Sequence, residues 1–240
     1  MSYIKDTVLL SARTFAGADG TTWKECLVAA DPAGFDPGQF LMAAPMYGTG
    51  VHWPSPVMIQ RLDAKGVCVW LHPNSPLYEL RDGDAVTIWG PNGKVAPVQG
   101  EFSVLCDAKG FLLAAPLLRA WPERCKGVYL TGSYHAKSAA FAGMRPAPVA
   151  VPEELPDAKT LVIALPLEEL VHWKATAAGK AKRCVVFTGA KVGCGVGACR
   201  GCFIHSGPVS TGIAVCQEGP FLPIETVDYA KDQNFLGHYV

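Results

Sequence analysis

Four cysteines constrain this chain more than any other feature. Cys194, Cys199, Cys202 and Cys216 fall within 23 residues, spaced C-x4-C-x2-C with thirteen residues before the fourth. Glycines crowd the same stretch, at Gly193, Gly195, Gly197 and Gly201. Thiolates that converge on one inorganic centre force the chain to wrap closely. Glycine permits the positive φ angles and the close N–H approach that such wrapping needs. The spacing is that of a plant-type [2Fe–2S] site, three ligands from one loop and Cys216 closing the cage from a separate segment. Val196, Phe203, Ile204 and Val215 are placed to shield it from water.

Other readings of the four remain open at this level. Structural zinc more often uses two short Cys-x2-Cys pairs or histidines, and only Cys199 and Cys202 have that spacing. A thioredoxin-like Cys-Arg-Gly-Cys would need neither Cys194 nor the glycines. His205 lies three positions after Cys202, and histidine is a ligand in Rieske-type centres, but four cysteines already complete a cage. The chain has nine cysteines in 240 residues. The other five, Cys26, Cys68, Cys106, Cys125 and Cys184, stand singly in apolar sequence and are expected as buried small hydrophobes.

Composition narrows the class. Lys+Arg 21 balance Asp+Glu 21, which argues against a protein that binds nucleic acid by displacing counterions from phosphates. Met1 to Asp6 has no apolar signal-peptide core, and no apolar run approaches the roughly 18 residues of a membrane helix. A cytoplasmic, reducing setting without a membrane span is therefore expected, with the cysteines as thiols or metal ligands. Charged residues make up 18% of the chain, below the roughly 25% usual for soluble domains. That fits a subunit of a larger complex, and equally a well-packed protein that stands alone.

Two rhythms precede the cysteines. Thr7 to Arg13, Thr22 to Ala29, Gly38 to Ala44, Pro56 to Leu62, Gly66 to His72 and Ala85 to Gly90 read as short strands. Turn clusters such as Asp36-Pro37-Gly38 and Arg81-Asp82-Gly83-Asp84 separate them, a pattern that predicts an antiparallel barrel over residues 1–100. From residue 101 strands alternate with helices. Phe102 to Cys106, Gly127 to Thr131, Thr160 to Ala164 and Cys184 to Phe187 are the strands. Helices are expected over Phe111 to Trp121, His135 to Ala142 and Pro166 to Trp173, the last stopped by Gly179. Met144 to Pro156, with four prolines, reads as an extended connection. The alternation predicts a small parallel α/β unit over residues 101–188, leaving 189–240 as the cluster-binding region.

Gly193 to Cys202, followed by Cys216-Gln217-Glu218-Gly219-Pro220-Phe221, resembles the C-terminal cluster domain of dihydroorotate dehydrogenase B electron-transfer subunits, within the ferredoxin–NADP reductase-like superfamily. Pro37-Gly38-Gln39-Phe40, Leu80 to Asp84 and Gly90-Pro91-Asn92-Gly93 extend the likeness into the barrel half. The resemblance implies a ferredoxin reductase-like barrel and an α/β nucleotide-binding-like domain, with FAD between them and a [2Fe–2S] cluster. It also implies electron transfer between NADH and a partner flavoprotein. Pro54, Ser55 and Ser75 are the candidate FAD contacts on this likeness.

The chain departs from the family at its nucleotide motifs. Where the family has Arg-Pro-x-Ser, with the arginine on the FAD pyrophosphate, this chain has Trp53-Pro54-Ser55-Pro56, and an indole offers no charged fork to phosphate. The Gly-rich turn after the first α/β strand is replaced by Cys106-Asp107-Ala108-Lys109-Gly110, which adds a carboxylate. The Cys-Gly-Pro motif is replaced by Ala164-Leu165-Pro166. These departures predict an electron-transfer iron–sulfur subunit of a multi-subunit oxidoreductase, which relays single electrons and does not itself oxidise NAD(P)H. Two alternatives stand beside it, an FAD-containing reductase subunit and a non-catalytic module with a structural metal site. Trp53, Trp70 and Trp89 could stack on a flavin, but barrel tryptophans are more often core or interface. No hydrolase motif is present.

Overall fold

The computed structural model describes residues 3–31, 34–46, 54–134, 138–141, 146–149, 154–155, 157–205 and 212–228. Six strands, β1 (Tyr3–Ala16), β2 (Thr22–Val28), β3 (Phe40–Pro45), β4 (Ser55–Asp63), β5 (Gly66–Leu71) and β6 (Ala85–Asn92), close a barrel in the order β1-β2-β5-β4-β3-β6. Every pair in it is antiparallel. Alternation drives closure: along β6, Val86 and Ile88 are buried while Thr87 and Trp89 on the opposite face are half-buried. The barrel interior is an apolar set of Leu9, Cys26, Leu41, Val57, Val69 and Ile88.

The second unit is a sheet of β7 (Phe102–Cys106), β8 (Cys125–Leu130), β9 (Ala147–Pro148), β10 (Ala158–Ala164), β11 (Ala181–Phe187) and a late strand, β14 (Phe221–Pro223). Its order is β14-β11-β10-β7-β8-β9, parallel except for β14, which runs antiparallel to β11. Strand order reverses between β7 and β10, the switch point at which open α/β sheets take ligands. Helix α1 (Ala108–Ala120) follows β7, capped by Asp107, and buries Phe111, Leu112, Ala115 and Leu118. It also joins the two units. Gln60 Nε2 of β4 donates to the carbonyl of Leu112 at 3.1 Å, and the Arg119 guanidinium lies 4.0 Å over the ring of Trp70.

Three expectations change in detail. Helix α2 (Leu167–Lys180) runs through Gly179 and does not stop at it. Of the helix expected over His135 to Ala142, only residues 138–141 are described, and they form a 3-10 turn at Ala139–Phe141. The cause is Ser138, whose hydroxyl accepts from Ala140 N–H at 3.1 Å and donates to the Ala16 carbonyl at 2.6 Å. Such side-chain bonds compete with helix, and this one ties the turn to the barrel. Much of the extended connection from Met144 to Pro156 lies outside the described residues, but Ala147–Pro148 pair with β8 as the edge strand β9.

The C-terminal segment is woven into the rest. Strands β12 (Phe203–Ile204) and β13 (Ile213–Ala214) form a two-stranded ribbon, helix α3 (Val215–Glu218) carries Cys216, and β14 completes the α/β sheet. One continuous core runs from Phe40, Met42 and Trp70 of the barrel through Val104, Leu105 and Val185 to Cys202, Ile204 and Cys216. Among the described residues, no helix is long and apolar enough to cross a membrane.

Candidate cluster site

The loop from Gly193 to Cys202 has no regular structure, and backbone N–H groups turn inward onto sulfur. Cys194 Sγ accepts from Val196 and Cys199 N–H, each at 3.4 Å. Gly197 N–H donates to Cys216 Sγ at 3.1 Å, Gly201 N–H to Cys199 Sγ at 3.4 Å, and Cys216 N–H to Cys202 Sγ at 3.4 Å. Gly195 and Gly197 hold φ of +73° and +78°, and Arg200 holds +55°, a conformation that side-chain-bearing residues rarely adopt. A Cβ on Gly197 would lie 2.6 Å from the Gln217 side chain.

The thiols group as two pairs. Cys194 is in hydrogen-bond contact with Cys199, and Cys202 with Cys216. Cys216 also feels the charge of Cys194, so the pairs are neighbours. No three His, Cys, Asp or Glu side chains among the described residues are arranged to hold one metal ion. Burial alone would push Cys194 up, but the N–H groups of Cys199 and Val196 outweigh it and bring the thiol down to about 7. Cys202 is drawn down to about 6, chiefly by its hydrogen bond with Cys216, whose own thiol that same bond pushes well up.

The remaining cysteines behave oppositely. Burial pushes Cys26 and Cys68 up to about 12 and Cys184 up to about 11, and holds Cys106 well above its ordinary value. Those four are buried, while Cys125 is half-buried. The cage is open on one side. Cys199 is exposed, flanked by Val196 at 47% and Phe203 at 37% exposure. The shield expected from Val196 and Phe203 is therefore a partial one, whereas Ile204 and Val215 are buried.

A cleft between the barrel and the α/β unit lies next to this cage. It is walled by Trp23, Phe40, Met58, Trp70, His72 and Leu112, and reaches Val192 and Val215 beside the cysteines. Its volume is about 70 Å³, against roughly 300–1,000 Å³ for sites that bury a drug-sized ligand. Pro56 and Ser75 line it, whereas Ser55 is buried in the barrel wall opposite Ala43. Pro54 does not line the cleft, and Trp53 lies outside the described residues. No Arg or Lys is among the described lining residues. His72 Nδ1 accepts from Asn74 N–H at 3.1 Å, so Nε2 carries the proton, and this Nε2 is buried without a hydrogen-bond partner. The space among the described residues suits a few waters and is smaller than a dinucleotide cofactor needs.

At the switch point the side chain of Asp107 accepts from Gly110 N–H at 2.6 Å. Burial pushes this carboxyl up to about 6, against the pull of the Gly110 hydrogen bond and with help from the nearby Glu169. Glu169 is held by the Thr131 hydroxyl at 2.8 Å. Two carboxylates thus stand where a dinucleotide pyrophosphate would meet a helix N-terminus.

Residues 190–228 match the iron-sulfur cluster binding domain of dihydroorotate dehydrogenase B. The whole fold is similar to that of the NADH-dependent reduced ferredoxin-NADP oxidoreductase solved in connection with flavin-based electron bifurcation. That match has TM-score 0.75 at 13% identity and covers 97% of this chain and 93% of that one. The family match covers this C-terminal, cysteine-bearing segment of the chain. The chain's barrel and α/β sheet make the ferredoxin reductase-like fold more widely. A ferredoxin NADP+ reductase from Neisseria gonorrhoeae with bound FAD and NADP matches at TM-score 0.53 and 13% identity, over 75% of this chain and 92% of that one. The ferredoxin reductase in carbazole 1,9a-dioxygenase, in its FAD apo form, matches at TM-score 0.52 and 16% identity, over 75% and 62%. No curated protein matches by sequence.

The sequence singles out the four cysteines, and the fold sets them as the neighbouring pairs Cys194–Cys199 and Cys202–Cys216. Among the flavin candidates only Ser75 faces the cleft. Sequence reasoning missed Pro56, which takes the place of the serine in Arg-Pro-x-Ser when the motif is counted residue by residue. It placed Trp89 among the flavin-stacking or core tryptophans and Gly93 in a barrel motif, whereas both reach the cysteines from the barrel.

Proposed function

We propose that this chain is an electron-transfer iron–sulfur subunit of a multi-subunit oxidoreductase, with Cys194, Cys199, Cys202 and Cys216 holding a [2Fe–2S] cluster. The grouping of the four thiols as two neighbouring pairs carries the reading. Structural zinc draws its four ligands around one ion, whereas a two-iron rhomb takes two thiolates on each iron. The N–H groups of Val196, Gly197, Cys199, Gly201 and Cys216 favour sulfurs that bear negative charge. When bound, the cluster supplies one-electron chemistry. The chain positions the thiolates, keeps Cys202 and Cys216 from water, and leaves Cys199, with Val196 and Phe203, toward a partner.

The acidic switch point and the narrow cleft support a relay that takes its electrons from another subunit rather than from NAD(P)H. In this reading residues 1–100 are the scaffold, 101–188 the nucleotide-binding-like unit and 189–240 the cluster region. The partners are a flavoprotein or iron–sulfur subunit in the cytoplasm. Anaerobically purified chain, assayed for iron, acid-labile sulfide and zinc with EPR after reduction, tests the assignment. Two irons and two sulfides per chain with a reducible EPR signal are expected; stoichiometric zinc without iron overturns it.

A further inference from the structure

The end of β6 touches the cysteine cage twice. Trp89 reaches over from the barrel, and its indole N–H donates to the carbonyl of Cys194 at 2.8 Å. Four residues later, Gly93 N–H donates to the carbonyl of Cys216 at 2.7 Å. One short stretch of barrel therefore grips the first and the last of the four cysteines. The grip is reinforced on both sides. Asn92 Nδ2 donates to the Trp89 carbonyl at 2.9 Å. Lys94 N–H donates to the Gly219 carbonyl at 3.0 Å, and its ammonium pairs with Glu218 at 2.5 Å. The fit leaves no slack: a Cβ on Gly93 would stand 2.0 Å from the Gly219 oxygen, and one on Gly195 2.5 Å from Met42 Cγ.

We propose that the segment Trp89 to Lys94 is a positioning clamp that sets the separation of the Cys194 and Cys216 thiolates and, through it, the cluster's reduction potential. The proposal rests on the cluster assignment above. Its physical basis is peptide orientation. A carbonyl that accepts an indole N–H cannot rotate freely, so the Cys194–Gly195 peptide is fixed. With it are fixed the following N–H groups, Val196 and Cys199, that serve the Cys194 sulfur. Gly93 does the same for the start of α3, which keeps Cys216 Sγ within 3.1 Å of Gly197 N–H. N–H···S bonds stabilise the more negatively charged, reduced form and so raise the potential. Loosening the clamp should lower it. The barrel then has a use that needs no flavin.

The test uses the full chain, purified anaerobically, as wild type, Trp89→Phe, Trp89→His, Gly93→Ala and the barrel-core control Val69→Ala. The readouts are midpoint potential by EPR-monitored titration and first-order loss of visible absorbance in excess EDTA. Trp89→Phe keeps the ring and removes the donor. It is expected to retain a cluster of lower potential that is lost ~10-fold faster, the scale of second-shell changes at metal sites. Trp89→His, which restores an N–H, should recover part of both; Gly93→Ala makes the same test from the other end should Trp89→Phe fail to fold. Val69→Ala should lower Tm and leave both readouts in place. The clamp is overturned if Trp89→Phe matches wild type in both, or if Val69→Ala moves them equally. A wild type without any iron–sulfur signal would sink the cluster assignment itself.

Discussion

The carboxylate of Asp107 accepts a 2.6 Å hydrogen bond from the backbone N–H of Gly110, taking up a donor that a phosphate oxygen would use at the switch point of this sheet. The residue is half-buried, and its carboxyl sits at about 6, against an ordinary 3.8. A carboxyl raised on folding binds its proton more tightly in the folded state. Its stabilising contribution is full below about pH 4 and is lost as pH rises through about 6. Asp107→Asn keeps an oxygen for Gly110 and removes the titration. The difference in unfolding free energy between variant and wild type should therefore grow by about 2–3 kcal/mol between pH 4 and pH 7. Urea midpoints at four pH values measure it, and parallel curves for the two proteins would refute it.

Gly110 supports a second prediction, opposite in sign to the usual rule. Glycine to alanine inside a helix ordinarily stabilises by about 0.5–1 kcal/mol. Here a Cβ would lie 1.8 Å from the carbonyl oxygen of Ala164 in the neighbouring strand. Backbone cannot yield as a flexible side chain does, so Gly110→Ala should destabilise by about 1–3 kcal/mol, the scale of overpacking. Thermal melts settle the sign. An unchanged or higher Tm would mean that α1 does not pack this closely on β10.

How far these features were legible differs by the range of the interaction that creates them. The barrel strands follow from alternation and turn chemistry within each segment, and the cage from cysteine spacing within one loop. Asp107 is visible as a carboxylate in a turn where glycine is expected. By contrast β14 is three residues long, and only its partner β11 makes Phe221–Pro223 a strand. The 3-10 turn at Ala139–Phe141 depends on Ser138 finding the Ala16 carbonyl 122 positions away. Trp89 and Cys194 are 105 residues apart, so no local pattern links them.

The division of nine cysteines into four and five is measurable. Cys202→Ser should abolish the iron–sulfur absorbance and leave a protein without bound iron. Cys106→Ala should leave the iron content unchanged, because Cys106 is fully buried at the end of β7 and its thiol is held protonated. Its loss removes only a small apolar group from the core, costing on the order of 1 kcal/mol. Equal loss of iron in both variants would contradict the split.

Flavin content offers the sharpest separation of a relay subunit from a reductase. The cleft is about 70 Å³ and lacks a cation among its described lining residues. Pro56 offers no hydroxyl where Arg-Pro-x-Ser has one, and Leu112 and Met58 line the cleft with apolar side chains. Heat-released flavin from the purified chain should therefore fall well below one per protein, even after incubation with excess FAD and gel filtration. Trp53→Ala should not change that figure, since an indole supplies no charge to a pyrophosphate. Leu112→Ala, which widens the cleft without adding a phosphate contact, should not raise it to stoichiometry either. A ratio near one in the wild type would show that the cleft opens for the cofactor, and electrons would then enter this subunit through its own flavin.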